Sequence, residues 1–584
     1  MNLSRREFLQ MLALAGAASG LSACGVKGLQ EKDVPVAAAH LYDMPVYGNV
    51  SLLHMTDCHA QLLPVYFREP NINLGVGLAW GRPPHLVGDA YLKYFHVPAG
   101  GHRANAFTYL DFTEASRRYG KIGGFSHLAT LLKRVRAERH GRSLLLDGGD
   151  TWQGSATSMW TEGRDMIGAQ KLLGVDAMTA HWEFTYGAKR VMEAVKHELH
   201  PIEFLAQNVN DATWGNLIFK PYTIRELNGV SVAVIGQAFP YTPIANPAYM
   251  VPNWQFGIDQ SHMQKTVDEV RAKGAQVVVV LSHNGMDVDL KMASQVHGID
   301  VLLGGHTHDA EAEPVPVRNS GGTTLVFNSG SNTKFLLVLD LDVRGGRIRG
   351  YRSRLMPVFA ELLPADPEMA DYIEKVRAPY KDKLAEQLAV NDSLLFRRGN
   401  FNGTFDQMII DAQLAVTGAQ IALSPGFRWG TSLLPGEPIT MEAVMNNTAI
   451  TYPATTLNVY TGKQLKTTLE GIADNLFNKD PYYQQGGDMI RVGGMTYTIA
   501  PNRNIGHRIS DMRLANGELI MPNKRYTVSG WADVYRSKHP GPKIWDVVTE
   551  YLRDQKTINV KEGYTPRLIG MEGNPGYAPW PVRT

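Results

Sequence analysis

Two aspartates and five histidines stand in short polar motifs whose residue types and spacing could do chemistry. The seven residues are Asp57, His59, Asp150, His181, His283, His306 and His308. One metal ion needs about four to six donors, so seven are too many for it. With one carboxylate shared, seven donors suit two divalent ions about 3.5–4 Å apart. The sequence therefore predicts a dinuclear metal site.

Asp150 is the candidate for the shared carboxylate. The bridge must be a carboxylate because an imidazole nitrogen offers a metal only one lone pair, and Asp150 is central in the series. A single histidine is more often structural than metal-binding, but packing alone does not account for five of them beside two aspartates. Cys58 lies between Asp57 and His59, and in extended structure its side chain would point away from theirs, so we expect a small buried hydrophobe there.

Short apolar runs rich in β-formers must position these side chains. Four such runs end in the polar motifs and cover residues 51–57, 143–150, 277–284 and 300–308. Helical patterns lie between them, as at Leu128, Leu131, Leu132 and Val135. Continuous Val/Leu strands that alternate with helices predict an α/β fold whose sheet is covered on both faces. Ligands of such folds gather beyond the strand ends, which is where Asp and His stand here.

The rest of the chain divides by composition. Residues 48–360 hold the metal motifs, and within them residues 65–120 are rich in Gly, Pro and Asn, which indicates an insertion or lid able to dock a peptide arm. Residues 361–390 are charged and helical, and we expect them to link the domains. Residues 391–584 form a second region with helices, strands and Gly-rich turns of its own.

The balance of charge excludes one class of partner. The 584 residues carry 58 Lys and Arg against 56 Asp and Glu, and 44% are apolar. These values are typical of a globular protein and exclude a disordered chain. They provide no basic surface for nucleic acid, so we expect no nucleic-acid partner. We also expect a monomer.

Residues 1–30 are typical of an export signal. Arg5 and Arg6 precede a short apolar run that ends in small residues, as in twin-arginine signals, and this predicts a periplasmic protein. Residues 21–24, Leu-Ser-Ala-Cys, are similar to a lipoprotein signal-peptidase site. Two outcomes stay open: lipidation of Cys24, which would anchor the protein to a membrane, and plain cleavage nearby.

The ordered motifs resemble those of the calcineurin-like metallophosphatases, in particular the 5'-nucleotidase branch. They are TDCHAQ, GGDTWQGS, HWEFTYG, LSHNG and GGHTH, followed in the second region by FDQMIIDA, SPGFRW, GEPIT and IRVGGMT. The resemblance implies a four-layer αββα metallophosphatase domain and a smaller α+β substrate-binding domain of the 5'-nucleotidase C-terminal type. It also implies that Asp57, His59, Asp150 and His308 hold one ion, and that Asp150, His181, His283 and His306 hold the other.

One motif departs from the nucleotidase pattern. Nucleotidases have Gly-Asn-His-Glu-Phe-Asp-Tyr-Gly where residues 180–187 are Ala-His-Trp-Glu-Phe-Thr-Tyr-Gly. The asparagine ligand is replaced by His181, the catalytic histidine by Trp182 and its paired aspartate by Thr185. The metal ligands are kept while the pair that serves phosphoryl transfer is lost, which indicates an oxyacid other than phosphate.

The altered motif, the 65–120 insertion and the export signal together resemble the SoxB family of sulfate thiohydrolases of bacterial sulfur oxidation. The resemblance implies hydrolysis of S-sulfosulfanyl-cysteine on the carrier protein SoxYZ during thiosulfate oxidation. It implies two manganese ions, with zinc as the alternative, and a metal-bridged hydroxide that attacks the sulfonate sulfur. We expect Arg428 and Tyr186 to bind sulfonate oxygens and Trp182 to wall the site. The alternatives are plain packing for the two aromatic residues and an inter-domain salt bridge for Arg428.

Two other functions stay open at this point. A periplasmic 5'-nucleotidase or related phosphoesterase would need two aromatic rings to stack a nucleoside; Phe427 and Trp429 could supply one side, whereas GGMTYT lacks the usual aromatic of the other. A non-catalytic metal-binding module would keep the seven metal ligands and would hydrolyse neither the sulfonate nor a nucleotide.

Overall fold

The strands of the computed structural model follow the predicted alternation with helices. The structure describes residues 40–535 and 537–578, so the export signal with Arg5, Arg6 and Cys24 lies outside the described residues. In chain order the strands are β1 Val50–Met55, β2 Ser143–Asp147, β3 Ala177–Met178, β4 Glu203–Phe204, β5 Val209–Asp211, β6 Tyr222–Leu227, β7 Val230–Gln237, β8 Trp254–Phe256, β9 Val277–Ser282, β10 Val301–Gly304, β11 Val315–Asn319, β12 Gly322–Asn328, β13 Phe335–Arg344, β14 Arg347–Pro357, β15 Gln387–Asn391, β16 Ile421–Ser424, β17 Pro438–Thr440, β18 Thr455–Thr461, β19 Arg491–Gly493, β20 Met495–Ile499, β21 Ile509–Leu514, β22 Arg525–Trp531, β23 Thr557–Ile558 and β24 Arg567–Leu568.

The α-helices lie mostly between these strands. They are α1 Gly88–Tyr94, α2 His102–Phe107, α3 Phe112–Tyr119, α4 Phe125–Glu138, α5 Ala156–Thr161, α6 Arg164–Leu173, α7 Ala188–Glu193, α8 Thr242–Ala245, α9 Gln260–Ala272, α10 Met286–Gln295, α11 Pro367–Arg377, α12 Lys381–Ala385, α13 Thr404–Thr417, α14 Met441–Thr448, α15 Gly462–Phe477 and α16 Ile544–Gln555. Among the described residues, the helices all fall short of the length and apolar character that a membrane crossing requires.

Two six-stranded mixed sheets with covering helices make up the first domain, as the four-layer prediction requires. Their strand orders are β14-β13-β1-β2-β3-β4 and β11-β12-β10-β9-β7-β6. Strands β1–β4 run parallel to one another in one sheet, and β7, β9, β10 and β12 do so in the other. Every residue of β9 is buried, which is the reason for its unbroken valine run.

Smaller sheets and helices form the C-terminal region. Its sheets have the orders β18-β22-β16-β19, β17-β15-β23 and β21-β20-β24. One hydrophobic core lies between α13, α14 and α16, and it includes Ala156 and Trp182 of the first domain. The predicted α/β plus α+β fold class is confirmed, and the two regions share apolar packing beside the metal motifs.

Residues 65–120 are more structured than a loop-rich lid. They contain α1, α2 and α3 and bury aromatic side chains such as Tyr91 and Phe107. Isolated bridges pair Tyr66 with Ser432 and Ile72 with Tyr577, so the segment contacts the C-terminal region at two places. Residues 361–390 contain α11 and α12 and the first four residues of β15.

Candidate metal centre and substrate cavity

The seven predicted ligands lie just beyond the ends of five strands. β1, β2, β3, β9 and β10 end at Met55, Asp147, Met178, Ser282 and Gly304, and each ligand follows its strand end within four residues. All seven side chains are buried, and His306 is the most exposed of them at 8%. Because parallel strands bring their carboxyl ends to one edge, residues 250 positions apart meet there.

The structure brings all seven side chains together in two groups. Asp57, His59, Asp150 and His308 form one group, and Asp150, His181, His283 and His306 form the other. Within each group the candidate ligand atoms lie within 4.8 Å of one another. Asp150 belongs to both groups, as a shared carboxylate must. The seven side chains of the two groups are called the cage below.

Four of the five imidazoles are oriented by a hydrogen bond on the side away from the cage. The bonds join His59 Nδ1 to Gln153 O (3.1 Å), His181 Nε2 to Asn246 Oδ1 (3.0 Å), His283 Nδ1 to Gly148 O (2.6 Å) and His306 Nε2 to Gln485 O (3.1 Å). When the outer ring nitrogen donates to an oxygen, the inner nitrogen is left with a lone pair, which is the form that binds metal.

The nitrogen and oxygen atoms that face the inside of the cage lie close together and are free to bind cations. Asp150 Oδ2 lies 3.0 Å from His283 Nε2 and 3.4 Å from His181 Nδ1. Within the described part of the chain, these two buried nitrogens have no hydrogen-bond partner. Burial alone would raise the pKa of Asp150, but the neighbouring histidines, His283 first, hold that pKa well below its usual value. His59 Nε2 and His308 Nε2 are 3.0 Å apart. Five imidazoles and two carboxylates in this arrangement fit two divalent ions.

Most ligands have an unusual backbone conformation. Asp57, His59, Asp150, His306 and His308 have φ between +46° and +72°. The expectation that Cys58 points away from Asp57 and His59 assumed extended structure, and this reason was wrong. Strand β1 has already ended, and left-handed residues turn Asp57 and His59 inward. Cys58 is fully buried, as expected of a small hydrophobe.

Glu183 supports the cage and was missed by the sequence reasoning. Its carboxylate accepts hydrogen bonds from the backbone N–H of Thr151 (2.7 Å) and His181 (2.9 Å), and so ties together the two loops that carry Asp150 and His181. Burial, followed by the charge of Asp150, raises the pKa of Glu183 to about 7. Its place in the HWEFTYG motif, between two residues that were singled out, was the available signal.

A cavity of about 790 Å³ opens over the cage. Trp182 forms part of its wall, as predicted, and stacks on Tyr452 with ring centroids 6.1 Å apart and 5° between the planes. The edge of Trp182 meets Phe427 at 5.1 Å, and Phe427 stacks on Trp429 at 5.4 Å. The cavity therefore has an aromatic side contributed by both domains.

Arg428 lines the same cavity, as its predicted role requires. Its Nε donates to Asp488 Oδ1 (3.2 Å) and its Nη2 to Gly487 O (2.6 Å), while its Nη1 is buried without a partner among the described residues. Asp488 also pairs with Arg491 (3.1 Å), which pairs with Asp406 (3.0 Å). One guanidinium nitrogen is thus available to an anion while the other two are held.

Tyr186 lies elsewhere, and this geometry argues against its predicted contact with sulfonate. Its hydroxyl donates to Trp152 O (2.9 Å), and its ring lines a separate cavity of about 570 Å³ beside Met159 and Met445. Residues Trp182–Tyr186 form a 3-10 helix, in which side chains four residues apart point about 120° apart. Trp182 and Tyr186 therefore face different cavities.

Comparisons with known proteins agree with this geometry. Residues 393–536 match the family model of the 5'-nucleotidase C-terminal domain. Bovine (Bos taurus) 5'-nucleotidase is 24% identical over 496 residues, which cover 76% of this chain and 83% of that protein. Snake venom 5'-nucleotidase of Gloydius brevicauda is 31% identical over 208 residues, and this match covers 33% of the chain and only 34% of that enzyme.

A solved structure extends the likeness over almost the whole chain. The sulfate thiohydrolase SoxB of Thermus thermophilus, determined in complex with glycerol, superposes with a TM-score of 0.86 at 36% identity. The match covers 91% of this chain and 98% of that one. A metallophosphatase-type hydrolase fold, a buried cage for two ions and this degree of identity agree with one another. The chain belongs to the SoxB family, within the 5'-nucleotidase and calcineurin-like metallophosphatase superfamily.

Proposed function

We propose that the chain is a dimetal hydrolase that releases sulfate from S-sulfosulfanyl-cysteine on the carrier SoxYZ. The observation that carries this proposal is that the seven metal ligands meet while Trp182 and Thr185 replace the histidine and aspartate of the nucleotidase pair. Thr185 donates its hydroxyl to the Trp182 carbonyl at 2.7 Å, and Trp182 packs on Phe427 and Tyr452. Neither side chain can give up a proton as an acid near neutral pH.

A sulfur leaving group would allow hydrolysis without the histidine and aspartate that nucleotidases have at positions 182 and 185. Hydrolysis of the sulfonate bond expels a sulfur chain whose conjugate acid has a low pKa, so its departure needs little protonation. Phosphate ester hydrolysis expels an alkoxide and depends far more on help from the enzyme. The residues at 182 and 185 therefore suit the sulfur chemistry better.

The seven ligands would hold two divalent ions, and these ions would supply the nucleophile and neutralise charge. Two divalent ions held by the seven ligands would acidify a water and polarise the oxyanion. We propose manganese; the nitrogen-rich donor set would also accept zinc. In this scheme Arg428 binds a sulfonate oxygen through Nη1, and Asp488 and the Gly487 carbonyl fix its guanidinium plane.

The outer part of the cavity supports a polypeptide substrate. Ile244, Val459 and Tyr535 line it and are 62%, 56% and 89% exposed, so the rim is apolar and open. Exposed apolar groups around a cavity mouth are typical of a docking site, and a small inorganic anion would not need them. We propose that the carrier arm lies along this rim, and that the protein acts in the periplasm as a monomer after twin-arginine export.

A nucleotidase function has less support from the same cavity. Phe427 and Trp429 stack on each other. Tyr497, in the segment that would supply the facing aromatic, is 3% exposed and packs in the C-terminal core. The proposal therefore predicts weak hydrolysis of nucleotides.

The test compares two substrates on the metal-loaded full chain. We expect sulfate release from a thiosulfonate-charged carrier, and phosphate release from AMP at least ~10³-fold slower in kcat/KM. The double variant Trp182→His/Thr185→Asp restores the nucleotidase pair and should raise AMP hydrolysis while lowering sulfate release. Faster phosphate release by the unaltered chain, abolished by His181→Ala, would contradict the proposal, and so would an intact two-ion site that hydrolyses neither substrate.

A further inference from the structure

One loop of the C-terminal region reaches onto the first domain. Residues 478–488, here called the strap, follow α15 and lead to β19. The Lys291 ammonium pairs with Asp480 and lies 4.0 Å from the centre of the Tyr482 ring. Gln260 donates to the Tyr482 hydroxyl at 2.7 Å, and the Tyr241 hydroxyl donates to the Tyr482 carbonyl. The outer end of the strap is thus anchored on the first domain.

The inner end of the strap lies on a ligand of the cage. The Gln485 carbonyl accepts the hydrogen bond from His306 Nε2 at 3.1 Å. Next to it, Gly486 approaches so closely that an added Cβ would lie 2.2 Å from the same nitrogen. His306 is the one ligand whose observed orienting bond comes from the C-terminal region, since Gln153, Gly148 and Asn246 all belong to the first domain.

The next two residues hold Arg428. Gly487 O and the Asp488 carboxylate accept from its guanidinium, and the Asp488 backbone N–H donates to Gly426 O at 2.9 Å. Residues 485–488 therefore contact both His306 of the cage and the Arg428 guanidinium, which faces the substrate cavity.

We propose that the strap is a positioning element for the ion held by Asp150, His181, His283 and His306. It keeps the His306 ring in the tautomer and orientation that present Nδ1 to that ion. Groups that orient metal-bound histidines typically contribute 10- to 100-fold to metal affinity. Affinity for this ion then depends on the strap, whereas the observed orienting bond of the other group, from His59 Nδ1 to Gln153 O, lies within the first domain. The inference rests on the two-ion part of the proposed function and is independent of the substrate.

Adjacent glycines provide a matched test. Gly486 and Gly487 have φ of +71° and +75°, so an alanine costs similar backbone strain at either position. Only Gly486→Ala would meet His306, because at Gly487 the nearest atom to an added Cβ is Gly426 O at 3.7 Å. The metal-depleted full chain and both variants are titrated with Mn²⁺, and bound metal is counted by elemental analysis.

We expect two tight sites in the unaltered chain and in Gly487→Ala. In Gly486→Ala one site stays tight and the second weakens at least ~10-fold. Electron paramagnetic resonance gives a second readout, because an exchange-coupled pair would be replaced by the six-line signal of a lone Mn²⁺. Equal affinities in all three proteins would overturn the strap proposal.

Lys291→Met tests the same idea away from the cage. It removes the ion pair and the cation–π contact at the outer end of the strap, and it should weaken the second site a few-fold. This variant also decides the matter if Gly486→Ala fails to fold, in which case unchanged affinity in Lys291→Met overturns the proposal. One site in the unaltered chain would instead refute the dinuclear cage itself, so the two failures are distinguishable.

Discussion

The metal cage and the arginine cluster of the C-terminal region are both buried, but they are held in different ways. The cage side chains are set by strand ends, backbone carbonyls and left-handed turns. The cluster comprises Arg397, Arg428, Arg491, Asp406 and Asp488, and side-chain ion pairs over as many as 85 positions connect it. Its three guanidinium groups exceed its two carboxylates by one positive charge. The cage is thus a rigid receptor for cations, and the cluster is a network with one charge left for an anion.

Loss of the shared carboxylate should be the most damaging single change. Asp150→Asn removes the charge that both ion groups use, so we expect bound metal to fall below one ion per chain and activity to fall ~10³-fold or more. Elemental analysis and sulfate release measure the two effects. Asp147→Asn, three residues earlier and bonded to Thr151 and Gln170, is the control and should keep both ions. If Asp150→Asn also kept both ions, the cage would not be organised around this residue.

Loss of the Arg428 guanidinium should lower turnover and leave metal binding unchanged. Arg428→Ala is expected to lower kcat/KM for the carrier conjugate ~10²-fold, a typical cost of one donor to a developing oxyanion. Two bound ions should remain, which separates the cluster from the cage. The kcat/KM of Arg428→Lys should lie between those of the unaltered chain and Arg428→Ala, because a lysine point charge cannot hold both Asp488 and the Gly487 carbonyl. Unchanged turnover in Arg428→Ala would remove this residue from the site.

A smaller effect is expected on the free energy of unfolding, which should depend on pH through the buried Asp289. Asp289 is fully buried, accepts from Ser282 and Asn284, and has a pKa raised to about 7 by burial. Between about pH 4 and pH 7 the folded state therefore binds more protons at this site than the unfolded state, so its contribution to stability is lost as pH rises. The free energy of unfolding of Asp289→Asn, minus that of the unaltered chain, should grow by about 1 kcal/mol or more from pH 5 to pH 7.5. A constant difference in denaturant titrations at the two pH values would contradict this.

The sequence predicted the cage well because each ligand depends on local structure. An apolar run followed by Asp or His specifies a strand and its polar end, and parallel strands then bring those ends to one edge. The pattern predicted a covered α/β sheet, and the family resemblance implied the four-layer domain and the division of the ligands into two groups.

Other features depended on information that spacing does not contain. Tyr186 was misplaced because four residues of 3-10 helix turn a side chain toward another cavity. Glu183 acts through backbone N–H groups some thirty positions away. The strap contacts His306 through a backbone carbonyl, and any residue type at position 485 could provide it. Such contacts become visible only when the fold is known.

The left-handed ligands restrict how this cage can evolve. Asp, Asn and His tolerate positive φ better than most residues. Few residue types therefore suit positions 57, 59, 150, 306 and 308, because both the backbone conformation and metal binding restrict the choice. His181 has φ of −149° and is free of that restriction. It is also the one ligand that differs from the nucleotidase motif. Divergence within this superfamily could thus exchange a ligand at a position of negative φ, and the positions of positive φ would keep their old identities.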